Sequence, residues 1–123
     1  MTTAAVAAGA RILVVDDEAE VSELLVELLE SRGYAVMTAG SAEEALEAMA
    51  RRPVDLVISD VHLSGASGAS LAGDIARRWP QLAHRVILLT GDASALDGAV
   101  PYLQKPFGLD EMLQAVAVRL SRS

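Results

Sequence analysis

The chain has 123 residues, 52% of them hydrophobic and 22% charged, which fits one globular domain with its own core. It has no cysteine, which excludes disulfides, thiolate zinc sites and cysteine nucleophiles and is compatible with a reducing cytoplasm. A net charge of −7 argues against direct contact with nucleic acid, and no apolar run approaches the ~18 residues that span a bilayer.

Residues 1–10 are alanine-rich and lack a positive leader region, so they read as a flexible N-terminal tail before a domain over 11–122. Arg11–Val15 is a continuous β-branched run ending at Asp16-Asp17, as expected of a strand covered on both faces. Val21, Leu24, Leu25 and Leu28 follow at helical spacing, with Glu20, Glu23, Glu27 and Glu30 on the other side and Gly33 as the stop. Residues 34–38 form a second strand. Ser41 and Glu44 have capping-box spacing ahead of a helical stripe of Ala42, Ala45, Leu46 and Met49, which Pro53 breaks. Residues 54–59 form a third strand ending at Asp60, and Gly65 and Gly68 mark a loop. Leu71, Ala72, Ile75 and Trp79 make a third helix ended by Pro80. Residues 85–89 form a fourth strand ending at Thr90, residues 100–104 a short fifth, and Leu109, Met112, Leu113, Val116 and Leu120 a last helix.

This alternation predicts a doubly wound α/β domain, a parallel sheet with helices on both faces. The nine residues from 91 to 99 are fewer than a parallel crossover usually needs, roughly 10–12. The fourth helix should therefore be about one turn, or a loop.

In such a sheet, ligands bind beyond the carboxyl ends of the strands. Those ends carry Asp16 and Asp17, Asp60, Thr90 and Gly91, and the chain's one lysine, Lys105. A like-charged pair at ~4 Å costs roughly 4 kcal/mol at an effective dielectric of 20, so three carboxylates share a proton or hold a cation. Oxygen ligands without a His or Cys cluster favour a hard ion, best Mg²⁺. A carboxylate beside such an ion can attack phosphorus to give an aspartyl phosphate. Thr90 and Lys105 could then hold the remaining phosphoryl oxygens. Each residue also has an ordinary reading. Asp17 suits a helix N-cap, Asp60 a turn, Thr90 a strand end and Lys105 a solvated charge. Their joint placement at strand ends, in order, favours the chemical reading.

The ordered stretches Ile12–Glu18, Asp55–Asp60, Val86–Gly91 and Gly98–Phe107 resemble the receiver domains of two-component response regulators, over nearly all of residues 11–120. The resemblance implies a flavodoxin-like five-stranded parallel sheet in order 2-1-3-4-5. Proline is tolerated at edges or strand starts, so Pro101 suits an edge strand five. It further implies Asp60 as phosphoacceptor, Asp17 as direct Mg²⁺ ligand, Asp16 acting largely through water, and the His62 backbone carbonyl completing the ligands. Thr90 would be the switch hydroxyl and Tyr102 the switch aromatic. Lys105 would pair with a phosphoryl oxygen, aimed inward by a cis bond to Pro106, and Gly91 would leave the approach to the phosphoryl group open.

The chain departs from the family pattern in three ways. Ser64 replaces the usual proline four residues after the acceptor, which predicts a more mobile loop. The short fourth connection weakens the family's common output and dimer face, so a dimer would not rest securely on it. His62 and Asp92 occupy the positions two residues after Asp60 and Thr90, where they can tune attack by water on the phosphoryl group. An exposed loop histidine suits His62 better than a metal-ligating or phosphorylated one. His84 reads as solvated and Trp79 as a packing residue.

The leading expectation is a cytoplasmic, phosphorylation-dependent switch. It takes a phosphoryl group from the phosphohistidine of a kinase or phosphotransfer protein, and promotes its own phosphorylation and dephosphorylation as a stoichiometric acceptor, not a turnover enzyme. It would insert in no membrane and itself contact no nucleic acid. The alternatives are a receiver-fold binding module that works without phosphate, and a small aspartyl-nucleophile phosphatase. The latter usually wants a second acid where His62 stands.

Overall fold

The computed structural model describes residues 9–63, 66–92, 94, 96 and 100–121. The five parallel strands are β1 (Arg11–Val15), β2 (Ala35–Ala39), β3 (Leu56–Asp60), β6 (Val86–Thr90) and β7 (Tyr102–Gln104), in the order β2-β1-β3-β6-β7. This is the expected 2-1-3-4-5 order, with β6 and β7 as the fourth and fifth strands. Between β3 and β6 a two-stranded antiparallel ribbon intervenes, β4 (His62–Leu63) with β5 (Ala66–Ser67). Among the described residues there are four helices, α1 (Ala19–Glu30), α2 (Ala42–Arg51), α3 (Gly68–Arg78) and α4 (Leu109–Ser121), with a 3₁₀ turn at Pro80–Leu82. None of the described helices is long and apolar enough to cross a membrane.

Successive strand side chains point to opposite faces, and β1 shows the consequence. Ile12 and Val14 pack with Leu25 and Leu29 of α1 and Met112 and Val116 of α4. Leu13 and Val15 pack on the other face with Ala45 and Met49 of α2 and Leu71 and Ile75 of α3. Full burial of a residue such as Leu29 stabilises by about 1.5–3 kcal/mol. The continuous apolar run of β1 thus reflects two covered faces. On α1 the expected inward stripe is partly displaced, because Leu24 is exposed while Leu29 faces the core.

Local signals set the helix starts. In α2 the Ser41 hydroxyl accepts from the Glu44 N–H at 3.1 Å, while the Glu44 carboxylate accepts from the Gly40 N–H, also at 3.1 Å. This is a capping box displaced by one residue on its return bond. At α3 the Ser67 hydroxyl accepts from the Ser70 N–H. Gly33, with φ +90°, follows α1 in the left-handed conformation that a β-carbon disfavours.

Three of the strands end one residue later than their apolar runs suggest, because the ladder continues. Val15 pairs with Ala39, Asp60 with Leu89 and Thr90 with Gln104. Before Arg11, the Gly9 N–H donates to Gly33 O and the Ala35 N–H to Ala10 O, extending the edge beside β2. Residues 1–8 of the expected tail, Ser64, and most of the expected fourth-helix stub (93, 95 and 97–99) lie outside the described residues. Leu96 of that connection packs partly against the core, as does Val100, which precedes β7 rather than opening it as expected.

Candidate functional site

The sheet order brings the ends of β1, β3, β6 and β7 to one edge. Asp60 closes β3 at the middle of the sheet and is 5% exposed. Val61 continues the ladder, its N–H donating to Leu89 O at 2.9 Å. The Asp60 carboxylate has two partners. Oδ1 accepts from the His62 N–H at 3.2 Å, and Oδ2 accepts from Lys105 Nζ at 3.2 Å. Lys105 follows β7, where its N–H donates to Thr90 O at 2.7 Å and its bond to Pro106 is cis.

Asp16 is buried at the end of β1. Its Oδ1 accepts from the Glu18 N–H at 2.8 Å, whereas Oδ2 is buried with no hydrogen-bond partner among the described residues. Burial pushes the Asp16 carboxyl above its ordinary value. The Asp60 and Glu18 charges push the same way, and the Glu18 N–H and Lys105 oppose them. One oxygen each from Asp16, Asp17 and Glu18 lie within 4.8 Å of one another. Asp60 stands outside that trio. Glu18 was not singled out as a ligand by its residue type, and the run Asp16-Asp17-Glu18 is the only signal for it. A buried carboxylate oxygen without a donor, in a close all-oxygen set, suits a hard divalent cation such as Mg²⁺.

Thr90 is 2% exposed. Its hydroxyl donates to Asp92 O at 3.1 Å and accepts from the Asp92 N–H at 3.0 Å, a turn closed by the side chain. The Asp92 carboxylate is engaged away from that hydroxyl. Its Oδ1 accepts from both the N–H and the hydroxyl of Ser94, which hold it below the usual carboxylate range. Tyr102 is 44% exposed on the edge strand. His62 is exposed on β4, and a β-carbon added at Gly91 would meet no atom within 4 Å. His84 is exposed, as its sequence position suggests, while Trp79 packs partly against the core with Arg78 over its ring.

The family model of the response regulator receiver domain matches residues 12–117. The transcriptional regulatory protein KdpE of Mycobacterium tuberculosis is 40% identical over 119 residues, covering 91% of this chain and 51% of the relative. The chain thus spans about half the length of that relative. Among solved structures, a putative response regulator from Chloroflexus aurantiacus is 35% identical with a TM-score of 0.85, covering 93% of this chain and 99% of that one. The Thermotoga maritima response regulator TrrA, solved in complex with Mg²⁺-BeF, is 38% identical with a TM-score of 0.82, covering 90% and 99%.

Proposed function

This chain belongs to the response regulator receiver domain family, and on that premise we propose that it is a phosphorylation-dependent signalling switch. In this reading the domain spans 11–122, works in the cytoplasm and has Asp60 as its phosphoacceptor. The donor is the phosphohistidine of a histidine kinase or phosphotransfer protein. Asp60 Oδ attacks phosphorus in line, the O–P bond forms as the P–N bond breaks, and the imidazole leaves with the electron pair. Asp16, Asp17, Asp60 and the His62 carbonyl would hold Mg²⁺, which would supply positive charge to the transferring group.

The chain's own groups divide the remaining work. Lys105, which holds Asp60 at 3.2 Å, turns to a phosphoryl oxygen. Thr90 exchanges its bond to Asp92 for another phosphoryl oxygen, and Tyr102 then turns inward to occupy the space it leaves. Gly91 leaves the approach open. His62 and Asp92 flank the path by which water later attacks phosphorus, releasing phosphate and restoring Asp60. The domain thus serves as a stoichiometric acceptor that promotes its own phosphorylation and hydrolysis.

The observation that carries this reading is the buried Asp60 carboxylate paired with Lys105 beside Asp16, whose second oxygen has no donor among the described residues. The test is intact-protein mass after incubation with phosphoramidate and Mg²⁺. A gain of about 80 Da, lost in Asp60→Asn, supports it. No gain in the wild-type chain defeats it and leaves a module that binds partners without phosphate.

A further inference from the structure

Eight residues after Asp60, the chain returns to it. Gly68 opens α3 at a buried position directly over the peptide that joins Asp60 to Val61. A β-carbon added there would stand 2.3 Å from the Asp60 carbonyl oxygen, 3.0 Å from Val61 Cα and 3.1 Å from the Asp60 carbonyl carbon. All three are backbone atoms, so no side-chain rotation could relieve the overlap. Conformational freedom does not explain the residue, because the positive φ values among the described residues belong to Gly9 and Gly33. The need is for space alone.

The Gly68 N–H also donates to the Val61 carbonyl at 2.7 Å. That carbonyl shares one rigid peptide unit with the His62 N–H, which donates to Asp60 Oδ1 at 3.2 Å. The start of α3 therefore grips one side of a planar group whose other side grips the carboxylate. Moving Gly68 by the width of a methyl group would displace the Asp60 backbone and rotate the donor on its side chain. Gly73 in the same helix offers a contrast, because a β-carbon there would meet only the flexible Arg77 Nη1, at 3.6 Å.

We infer that Gly68 is a positioning residue for the phosphoacceptor. It lets α3 lie against the Asp60–Val61 peptide and sets the His62 N–H on the acceptor carboxylate. This rests on the reading of Asp60 given above.

The test compares the full-length wild type, Gly68→Ala and Gly73→Ala. For each, melting temperature is measured together with the phosphorylation rate in phosphoramidate and Mg²⁺, corrected for the folded fraction. Displacement of a reacting group by about 1 Å costs on the order of 100-fold. Gly68→Ala is accordingly expected to be 10- to 100-fold slower at a temperature where it is folded, with Gly73→Ala close to wild type. A lower melting temperature with an unchanged folded-state rate would overturn the inference, since a merely structural glycine gives that result.

If Gly68→Ala does not fold, or if the wild type itself takes no phosphoryl group, amide resonances decide the matter. Asp60→Asn should then shift the Gly68 N–H through the Val61–His62 peptide and leave Gly73 in place. An unmoved Gly68 resonance overturns the positioning role. A wild type that does not react overturns the reading of Asp60 instead.

Discussion

Lys105 Nζ reaches Asp60 Oδ2 at 3.2 Å across an intervening strand. β6 lies between β3 and β7, and two strand spacings make roughly 10 Å. Only a long side chain closes that distance, which gives the chain's one lysine a structural reason. The Asp60 side chain is 7% exposed and that of Lys105 34%, so the pair sits at the boundary between interior and solvent.

Lys105→Ala should leave a buried carboxylate without its cation. The cost is expected at about 1–2 kcal/mol at pH 7, below that of a fully buried pair because the lysine is partly solvated. Urea denaturation measures it. In an Asp60→Asn background the same lysine change should cost far less, since no charge is then stranded. Equal costs in the two backgrounds would show that the pair contributes no coupling.

Asp16 makes the opposite kind of contribution. Its carboxyl is raised above 3.8 in the folded state, chiefly by burial. Between 3.8 and the raised value the native state holds a proton that the unfolded chain has released. The stability contributed by Asp16 therefore falls as pH rises through that window, and its ionised form is a net cost above it. Asp16→Asn should melt higher than the wild type at pH 7 in chelator, with a flatter pH profile. Mg²⁺ should stabilise the wild type, and Asp16→Asn should lose most of that effect. Thermal melts from pH 4 to 7, with chelator or Mg²⁺, check both statements, and a full Mg²⁺ response in Asp16→Asn would remove Asp16 from the metal set.

How much of this was legible follows from what each feature leaves in the sequence. β1 and β3 are visible because burial on both faces demands unbroken apolar runs. The edge that gathers Asp16, Asp60, Thr90 and Lys105 then follows from parallel topology. Strand ends are less legible, because Asp60 and Thr90 join the ladder through backbone bonds that do not depend on residue type. The β4–β5 ribbon is too short to show any period, so where the sequence predicts a loop around Gly68 there stand a short strand and a helix start, while Gly65 lies outside the described residues. Glycine signals a turn and close packing alike, and only coordinates separate the two at Gly68. The Thr90 bond to the Asp92 backbone also leaves no mark beyond a hydroxyl residue followed by a turn.

The cap on α3 is a stability feature that a serine among other serines and glycines does not advertise. The Ser67 hydroxyl accepts from the Ser70 N–H at 3.0 Å, satisfying one of the helix's unpaired donors. Ser67→Ala should lower stability by about 1 kcal/mol, with helix content in circular dichroism little changed. A loss below a few tenths of a kcal/mol in urea would mean that water replaces the cap.

The switch proposed for Thr90 and Tyr102 can be tested directly. The Thr90 hydroxyl has one proton, and the Asp92 carbonyl holds it. The same proton cannot also serve an anion on Asp60, so any bond from Thr90 to such an anion must compete with the one to Asp92. Tyr102 sits opposite Leu88 in the ladder, two residues from Thr90 on the neighbouring strand, and is 44% exposed. If Thr90 swings toward Asp60, the ring gains a space to enter. Fluoroberyllate with Mg²⁺ imitates the acyl phosphate and should shift the ¹⁹F resonance of fluorotyrosine at Tyr102. The chain's other tyrosine, Tyr34, precedes the first residue of β2, at the end of the parallel sheet opposite the edge that gathers Asp60 and Thr90, and serves as the internal reference. Thr90→Ala should hold Tyr102 at its resting position under the same conditions, because the hydroxyl that links anion to ring is gone. An equal Tyr102 shift in Thr90→Ala would separate the two residues and leave ring movement to some other part of the edge.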